Sequence, residues 1–455
     1  MWPGLGQLYL RNRRAAAIFA VPALLVLLLL AYELRQGPVV FVARFIDPAF
    51  SRAAAFLVLF VGALRLGAVV HAFVAGEAGS EPSRRRKMLE RATVVGLVTV
   101  IVVSHLGAGF LLAETSNAEA QLFATPGPSS MVDLSTPEPT PTRTLAPSEI
   151  PEPTSTPIPT PSITKRVTIL LTGEGQETPV NWDSIQVVSY DPVTDSVTMI
   201  SVPRDSIYFP LYYDGNPPIT WFRIKELDKY AKKLPSPDSP YMTLLNEVQY
   251  LVGVHIDYYA ALNITVFEKL IDMVGTIRVN NPTLIDNVHY DWLDGSPPGF
   301  KLAAGPADLN GREAMAYVRS RANFGDTDFG RSSRQQEVLL ALLHKIAQPD
   351  QILKLPDLIR TFSDGGGSTN FPPDKVADYV SIGQNVPSGN ITEIVLSPSY
   401  VDPVVGHVSN YYGTGVCLYN ARVAALSVRL FGQDSLWRLS NGKAAVPANT
   451  CPPGV

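Results

Sequence analysis

Three neighbouring runs decide the fold: Arg166–Thr172 (RVTILLT), Ser184–Tyr190 (SIQVVSY) and Ser196–Val202 (SVTMISV). Each is rich in β-branched residues and short, which is the pattern of strands. The turn from Asp191 to Asp195 opens on Asp-Pro and is too short for a crossover, so the second and third strands are expected to form an antiparallel hairpin. Downstream, helical stretches Tyr241–Val252 and Thr265–Val274, the latter with Asn263 as N-cap, alternate with strand-like Ile256–Leu262 and Thr276–Asn280. Such alternation predicts an α/β domain, a mixed central β-sheet flanked by helices.

The same domain continues with Asn310-Gly-Arg-Glu313, a capping box opening a helix through Val318. Another helix is expected near Ser332, with Gln335 three residues on and an apolar face of Val338, Leu339, Leu342, Leu343 and Ile346. Leu353–Arg360, a break at Gly365–Gly367, and a last helix and strand carry the chain to about Leu396. These bounds set the domain at 163–398. Residues 399–455, with a helix at Ala421–Leu430, read as a satellite region packing on it.

Upstream, residues 119–162 are a Pro/Thr/Ser-rich linker, as in Thr136-Pro-Glu-Pro-Thr-Pro141. Such a segment cannot bury a core and favours polyproline II, with a reach on the order of 100 Å. Before it, residues 1–118 hold apolar runs at about 15–32, 53–75 and 92–113, each near the roughly 20 residues that cross a bilayer. The expected anchor is three transmembrane helices, because a cleaved signal peptide would leave two of the runs unexplained.

Orientation follows from short basic loops. Arg11, Arg13 and Arg14, and Arg84, Arg85, Arg86 and Lys87, belong inside, while Arg35, Arg44 and Arg52 against Glu33 and Asp47 argue weakly the other way. An odd number of spans makes this a multi-pass protein of the cell membrane whose C-terminal domain is extracytoplasmic. Arg65 and His71 fall inside the second run, where a displaced helix boundary or snorkelling explains them more readily than a buried polar site.

A net charge of -4 and the extracytoplasmic location argue against a nucleic-acid partner. An oxidising compartment permits one disulfide between Cys417 and Cys451, whose proximity the sequence does not fix.

The chain carries no Gly-x-Ser-x-Gly, no His-Glu-x-x-His and no phosphate loop, and its six histidines are scattered. Arginine stands out instead: Arg204 in Ser201-Val-Pro-Arg-Asp205, Arg319 and Arg321 in Tyr317-Val-Arg-Ser-Arg321, Arg331 and Arg334 in Asp328-Phe-Gly-Arg-Ser-Ser-Arg-Gln-Gln336. The planar guanidinium fork matches phosphate oxygens bidentately. If Arg319–Arg321 is extended, both side chains share one face about 7 Å apart, a spacing suited to linked phosphates. Arg331 is expected just before a helix N-terminus, which adds free N–H groups for an anion. On composition alone, pairing of these arginines with Asp205, Asp326 and Asp328 is the commoner outcome.

Read in order, Leu170 and Leu171 before Gly173, Asp183-Ser-Ile, Ser201-Val-Pro-Arg-Asp205, His255-Ile-Asp-Tyr-Tyr259, Leu309-Asn-Gly, Ala314-Met-Ala-Tyr-Val-Arg-Ser-Arg321, Asp328-Phe-Gly-Arg331 and Arg334-Gln-Gln336 resemble the LytR-CpsA-Psr family from about Val167 to Leu396. The resemblance implies a bacterial envelope phosphotransferase that moves a glycopolymer from a polyprenyl-pyrophosphate carrier onto peptidoglycan. It implies pyrophosphate binding by Arg204, Arg319, Arg321 and Arg331, a polar contact from Gln335, a magnesium-binding carboxylate at Asp183, and a candidate base at Asp328.

Two departures stand out. The family's Gly-x-Asp is here Gly173-Glu-Gly175, so Glu174 or Glu177 is the expected substitute metal ligand, and a family arginine is replaced by Asn181. They motivate two other readings: a non-catalytic binder of lipid-linked polymer or wall-assembly scaffold, and a hydrolase that cleaves the pyrophosphate with water.

Overall fold

The computed structural model describes residues 2–77, 84–122, 164–175, 180–209, 211, 222–231, 239–292, 294–321, 328–397, 405–410, 413–439 and 451. They fall into two compact units, one built on the N-terminal helices together with Pro372–Val380 and one on the remaining chain beyond them.

The first unit starts with a one-turn helix α1 (Leu5–Tyr9), then α2 (Arg13–Glu33), α3 (Pro38–Ala43), α4 (Pro48–Glu77) and α5 (Arg84–Leu122). Three segments are long and apolar enough to cross a membrane: Arg13–Glu33, Pro48–Ala75 and Arg91–Phe110. Asn12 caps α2 by accepting from the Ala15 N–H (3.1 Å). Large apolar side chains such as Leu25, Phe56, Phe60 and Val103 point outward, the inverse of a water-soluble protein, as lipid-facing surface requires. Between α2 and α4, Arg44 pairs with Glu33 and the rings of Phe41, Phe45 and Phe50 pack edge to face. The helix α5 runs to Leu122, so the linker begins four or more residues later than the expected 119; the rest of it lies outside the described residues.

The second unit is built on a six-stranded mixed sheet of order β10-β3-β2-β1-β4-β9. Its strands are β1 (Val167–Glu174), β2 (Trp182–Asp191), β3 (Ser196–Ser201), β4 (Tyr258–Asn263), β9 (Ser368–Thr369) and β10 (Ile391–Val395); β5 (Ile277–Asn281) pairs with β8 (Gly305–Leu309), and β6 (Ile285–Asn287) with β7 (Phe300–Leu302). The expected β2–β3 hairpin is present, with Asp191 opposite Ser196. The predicted strand at Thr276–Asn280 forms, but in a separate ribbon, because its alternating buried and exposed residues suit a sheet with one wet face.

The flanking helices are α6 (Leu227–Ala231), α7 (Pro240–Val252), α8 (Ile264–Val274), α9 (Gly311–Arg319), α10 (Asp328–Ile346), α11 (Leu355–Asp364), α12 (Val376–Asn385), α13 (Asn420–Phe431) and α14 (Leu436–Leu439). Local chemistry sets their starts. Ser239 caps α7 ahead of Pro240, the Asn263 Oδ1 accepts from Val266 N–H (2.9 Å), and both halves of the Asn310/Glu313 capping box form. Leu170, Ile185, Val187 and Ile200 of the sheet bury against Leu244, Leu245 and Val248 of α7, each such side chain contributing about 1.5–3 kcal/mol.

The described part of residues 399–455 packs on the domain and shares its core. Val416, Leu418, Val423, Leu426 and Phe431 belong to this same core, and β12 (Gly413–Leu418), paired with β11 (Val405–Asn410), exchanges backbone hydrogen bonds with Asp205 and Ile207. The apolar stripe of α13 is continuous with the sheet core, which length and position alone did not reveal. Cys417 and Cys451 form the disulfide, their Cα atoms 5.6 Å apart.

Candidate functional site

The site grows from a defect in the sheet. The β1–β2 register shifts between Gly173 and Glu174, so that Gly173 faces Ser184 while Glu174 faces Trp182. Asp183 is the extra residue. A bulge of this kind re-aims a side chain. Trp182 and Ile185 stay in the core, fully buried, while the Asp183 carboxylate turns to the end of β3 and takes a hydrogen bond from Arg204 Nη1.

Asp183, Arg204, Arg331 and Gln335 line one pocket with Ser184, Ser332 and Phe329, floored by Ser201, Val202 and Pro203. Three chain segments far apart in sequence therefore supply one site. The Pro203 carbonyl accepts from Ser206 Oγ (2.7 Å) in a tight turn that leaves Arg204 at the pocket wall. Beside it, Asp205 meets Arg223 (3.3 Å) and Lys225 (3.0 Å) at its Oδ1, while the Arg204 Nε stands 3.8 Å from its Oδ2. Composition pointed to Asp205 as a partner for the arginines, and Arg223 and Lys225 were not singled out. No local pattern in the sequence connects them to it.

The helix α10 already includes Asp328, the first described residue after Arg321, rather than opening near Ser332, which places Arg331 inside the helix instead of ahead of it. The Asp328 side chain lies outside the described residues. Arg331 is 7% exposed, and one turn on, Arg334 is 8% exposed. The Arg334 Nε donates to the Tyr317 carbonyl (2.9 Å) and its Nη2 to the Ser320 carbonyl (2.6 Å), so it binds the end of α9 to α10.

That clamp decides the Arg319–Arg321 segment. Arg319 is the last residue of α9 and Ser320 is already extended, so the segment is half helical and half extended. Arg319 and Arg321 are not among the residues lining the pocket. Arg319 meets Tyr290 and Glu268, whose carboxyl is raised by burial, further by Asp272, and eased back by Arg319.

Glu174 is not among the residues that line the pocket. Burial raises the pKa of its carboxyl, Tyr241 eases it back and nearby Asp228 raises it further, and its Oε1 is buried with no hydrogen-bond partner among the described residues. The bulge sets Glu174 opposite Trp182 rather than Asp183. Glu177 lies outside the described residues, and among the described residues no three His, Cys, Asp or Glu side chains form a metal cluster. Asp183 still offers an oxygen on the side away from Arg204: a Cβ on Gly175 would stand 3.6 Å from Oδ2. One carboxylate fits a magnesium ion that keeps waters and shares substrate phosphates; it does not fit a closed protein cage.

Among known proteins, the model of the LytR_cpsA_psr family matches residues 144–420, more than half of the chain. A polyisoprenyl-teichoic acid–peptidoglycan teichoic acid transferase, TagU of Bacillus licheniformis, is 28% identical over 44% of this chain and 57% of its own. The corresponding TagV of Bacillus subtilis is 31% identical over 40% of this chain and 43% of its own. The crystal structure of B. subtilis TagV superposes with a TM-score of 0.47 at 23% identity, covering 60% of this chain and 98% of that one. The chain thus spans just over half, or less, of the length of these sequence relatives.

Proposed function

This chain belongs to the LytR-CpsA-Psr family, and from that premise we propose that it is a membrane-anchored phosphotransferase carrying a glycopolymer from a polyprenyl-pyrophosphate carrier to peptidoglycan. The observation that carries the reading is the convergence of Asp183, Arg204, Arg331 and Gln335 on one pocket from three separate segments. The relatives' names supply the donor and acceptor classes, polyisoprenyl-linked teichoic acid and peptidoglycan.

In the proposed reaction a peptidoglycan hydroxyl attacks the phosphorus that bears the polymer. A new P–O bond forms and the bond to the bridging oxygen breaks, so polyprenyl phosphate leaves with that oxygen's electron pair. The hydroxyl proton passes to Asp328. Arg204 and Arg331 receive the charge spreading over the phosphoryl oxygens, and their value lies in being fixed before the reaction, Arg204 by Asp183 and Arg331 by burial. Arg319 and Arg321 serve the second phosphate, reaching it from the end of α9 that Arg334 holds in place. A magnesium ion held by Asp183 and the donor's own phosphates would supply further charge neutralisation.

In this reading the catalytic unit is extracytoplasmic, on the basic-loop argument for the spans, and the linker lets it meet both the bilayer-bound donor and the wall. The departures at Gly175 and Asn181 favour one second reading, a protein that binds the lipid-linked polymer without turning it over.

Incubating the full chain with a lipid-linked glycan and peptidoglycan separates the readings. Covalent linkage with release of polyprenyl phosphate is the expected result. Polymer released without acceptor identifies a hydrolase, and saturable binding with neither product identifies a binder. Loss of lipid binding in an Arg204→Ala, Arg331→Ala double variant checks the site itself.

A further inference from the structure

The membrane unit carries a charge that its own chain does not balance. Arg65 lies 17 residues after Pro48 and 12 before Glu77, the two ends of α4, so these are about 26 Å and 18 Å away along the helix. A displaced helix boundary therefore does not explain it. Snorkelling is opposed as well, since side chains in a helix lean toward its N-terminus, here toward the far end at Pro48. No Asp or Glu occurs in residues 1–32, 48–76 or 91–113, so the interiors of all three spans offer no carboxylate to a guanidinium.

Other polar groups gather at the same level. Arg65, Ala68 and His71 follow one another at three-residue steps, which makes them a single ridge on α4. The helix α1 is wedged against that ridge. Gln7, 1% exposed, donates its amide to the Ala68 carbonyl (2.7 Å), and a Cβ on Gly6 would stand 2.9 Å from the Ala72 Cβ. From the other side Phe19 of α2 packs on His71, ring centroids 5.8 Å apart. Within this enclosure Gln7 Oε1, Arg65 Nε and His71 Nδ1 are all buried and have no hydrogen-bond partner among the described residues.

Hydrogen-bonding groups at this depth are tolerated where they are buried in protein or line a wet cavity, and an intramembrane ionisable side chain calls for a partner. The missing partner must be an anion with acceptor oxygens that enters from the lipid phase. We infer that Arg65, with His71 and Gln7, forms a binding site for the phosphate of an anionic lipid, held between α1, α2 and α4. A guanidinium matches phosphate oxygens in forked geometry, the imidazole presents an N–H in either tautomer, and the Gln7 carbonyl takes a water or hydroxyl of the headgroup. The site is separate from the pocket around Asp183 and does not depend on the transferase reading. It gives the spans a ligand as well as an anchoring role.

The test uses the full chain in nanodiscs of phosphatidylcholine alone, with added phosphatidylglycerol, or with added polyprenyl monophosphate. After extraction into mild detergent, native mass spectrometry reads the retained lipid. Wild type is expected to keep one anionic lipid, and the better-retained arm names the source. Arg65→Leu is expected to lower retention about tenfold and Arg65→Lys to keep part of it. Equal retention by wild type and Arg65→Leu, or retention of phosphatidylcholine equal to that of the anionic lipids, overturns the proposal. Should Arg65→Leu not fold, a lipid with a photoreactive headgroup settles it on wild type. Crosslinks on the peptides holding Gln7 or Arg65–His71 support the site, and crosslinks found elsewhere alone refute it.

Discussion

Arg331 and Arg334 stand one turn apart on α10, are buried to the same degree, and do different things. Arg331 lines the pocket with Asp183 and Gln335, whereas Arg334 spends its fork on the carbonyls of Tyr317 and Ser320. Arg204 resembles the first and Arg166 the second, the latter bonding Asp191 (2.6 Å) and Asp434 (2.7 Å) across the domain. An arginine's role is set by where its fork finds oxygen. An arginine whose fork holds carbonyls of two elements is a fastener; one that lines a pocket is placed to meet a ligand as well.

The contrast is broken most sharply by Arg331→Ala. Transfer should fall roughly 100- to 1000-fold, the scale of losing one preorganised charge donor, while the unfolding midpoint falls less than it does for Arg334→Ala. Assay of product and a thermal melt on one preparation check both halves, and a midpoint as low as that of Arg334→Ala would place Arg331 among the fasteners. Arg334→Ala should do the reverse and cost about 2–4 kcal/mol of stability, because two buried carbonyls lose their donors. Denaturant unfolding measures it, and Arg334→Lys should not restore it, since one ammonium cannot span both oxygens.

Arg166→Ala should cost less, about 1–2 kcal/mol, because Asp434 is 55% exposed and its pair is screened by water. Salt should narrow the gap from wild type. The smallest effect is expected at Arg319, where pH decides. Glu268 sits above its ordinary range through burial, and Arg319 pulls it back toward that range. A carboxyl raised in the folded state adds stability that is present at acid pH and lost as pH rises through the raised value. Arg319→Ala raises Glu268 further, so it should destabilise more at neutral than at acid pH, by under about 1 kcal/mol after solvent screening. A difference that does not change with pH would mean that Arg319 does not act on Glu268.

Much of this was legible in the sequence. The hairpin at Asp191–Asp195, the caps at Asn263 and Asn310 and the three spans are short-range features, written in residues within one turn or one strand of each other. The motifs around Arg204 and Arg331 were legible too, and Phe329 and Ser332 lie inside or beside them. The position of Glu174 was not. Its longer carboxylate, one position from the family's aspartate, is the expected substitute ligand, and only the fold shows that a bulge sets it opposite Trp182, outside the residues that line the pocket. The sequence expectation opens α10 near Ser332, at least four residues late, because Phe329-Gly330 reads as a loop without its tertiary partners. The C-terminal region looked peripheral because its apolar stripe names no target; only the fold shows that it backs Asp205.

By itself the sequence determined the membrane topology class, the strands and helices and the family motifs, since hydrophobic periodicity and capping act over a few residues. It also held Arg65 without a carboxylate in the spans, a statement of composition. The tertiary structure alone decided which arginines face a pocket, which carboxylate does, and that Gln7 of α1 packs against the ridge that carries Arg65 and His71. Those are questions of where oxygen atoms from distant segments come to lie. A guanidinium has the same fork everywhere, and only the packed chain fixes what stands in front of it.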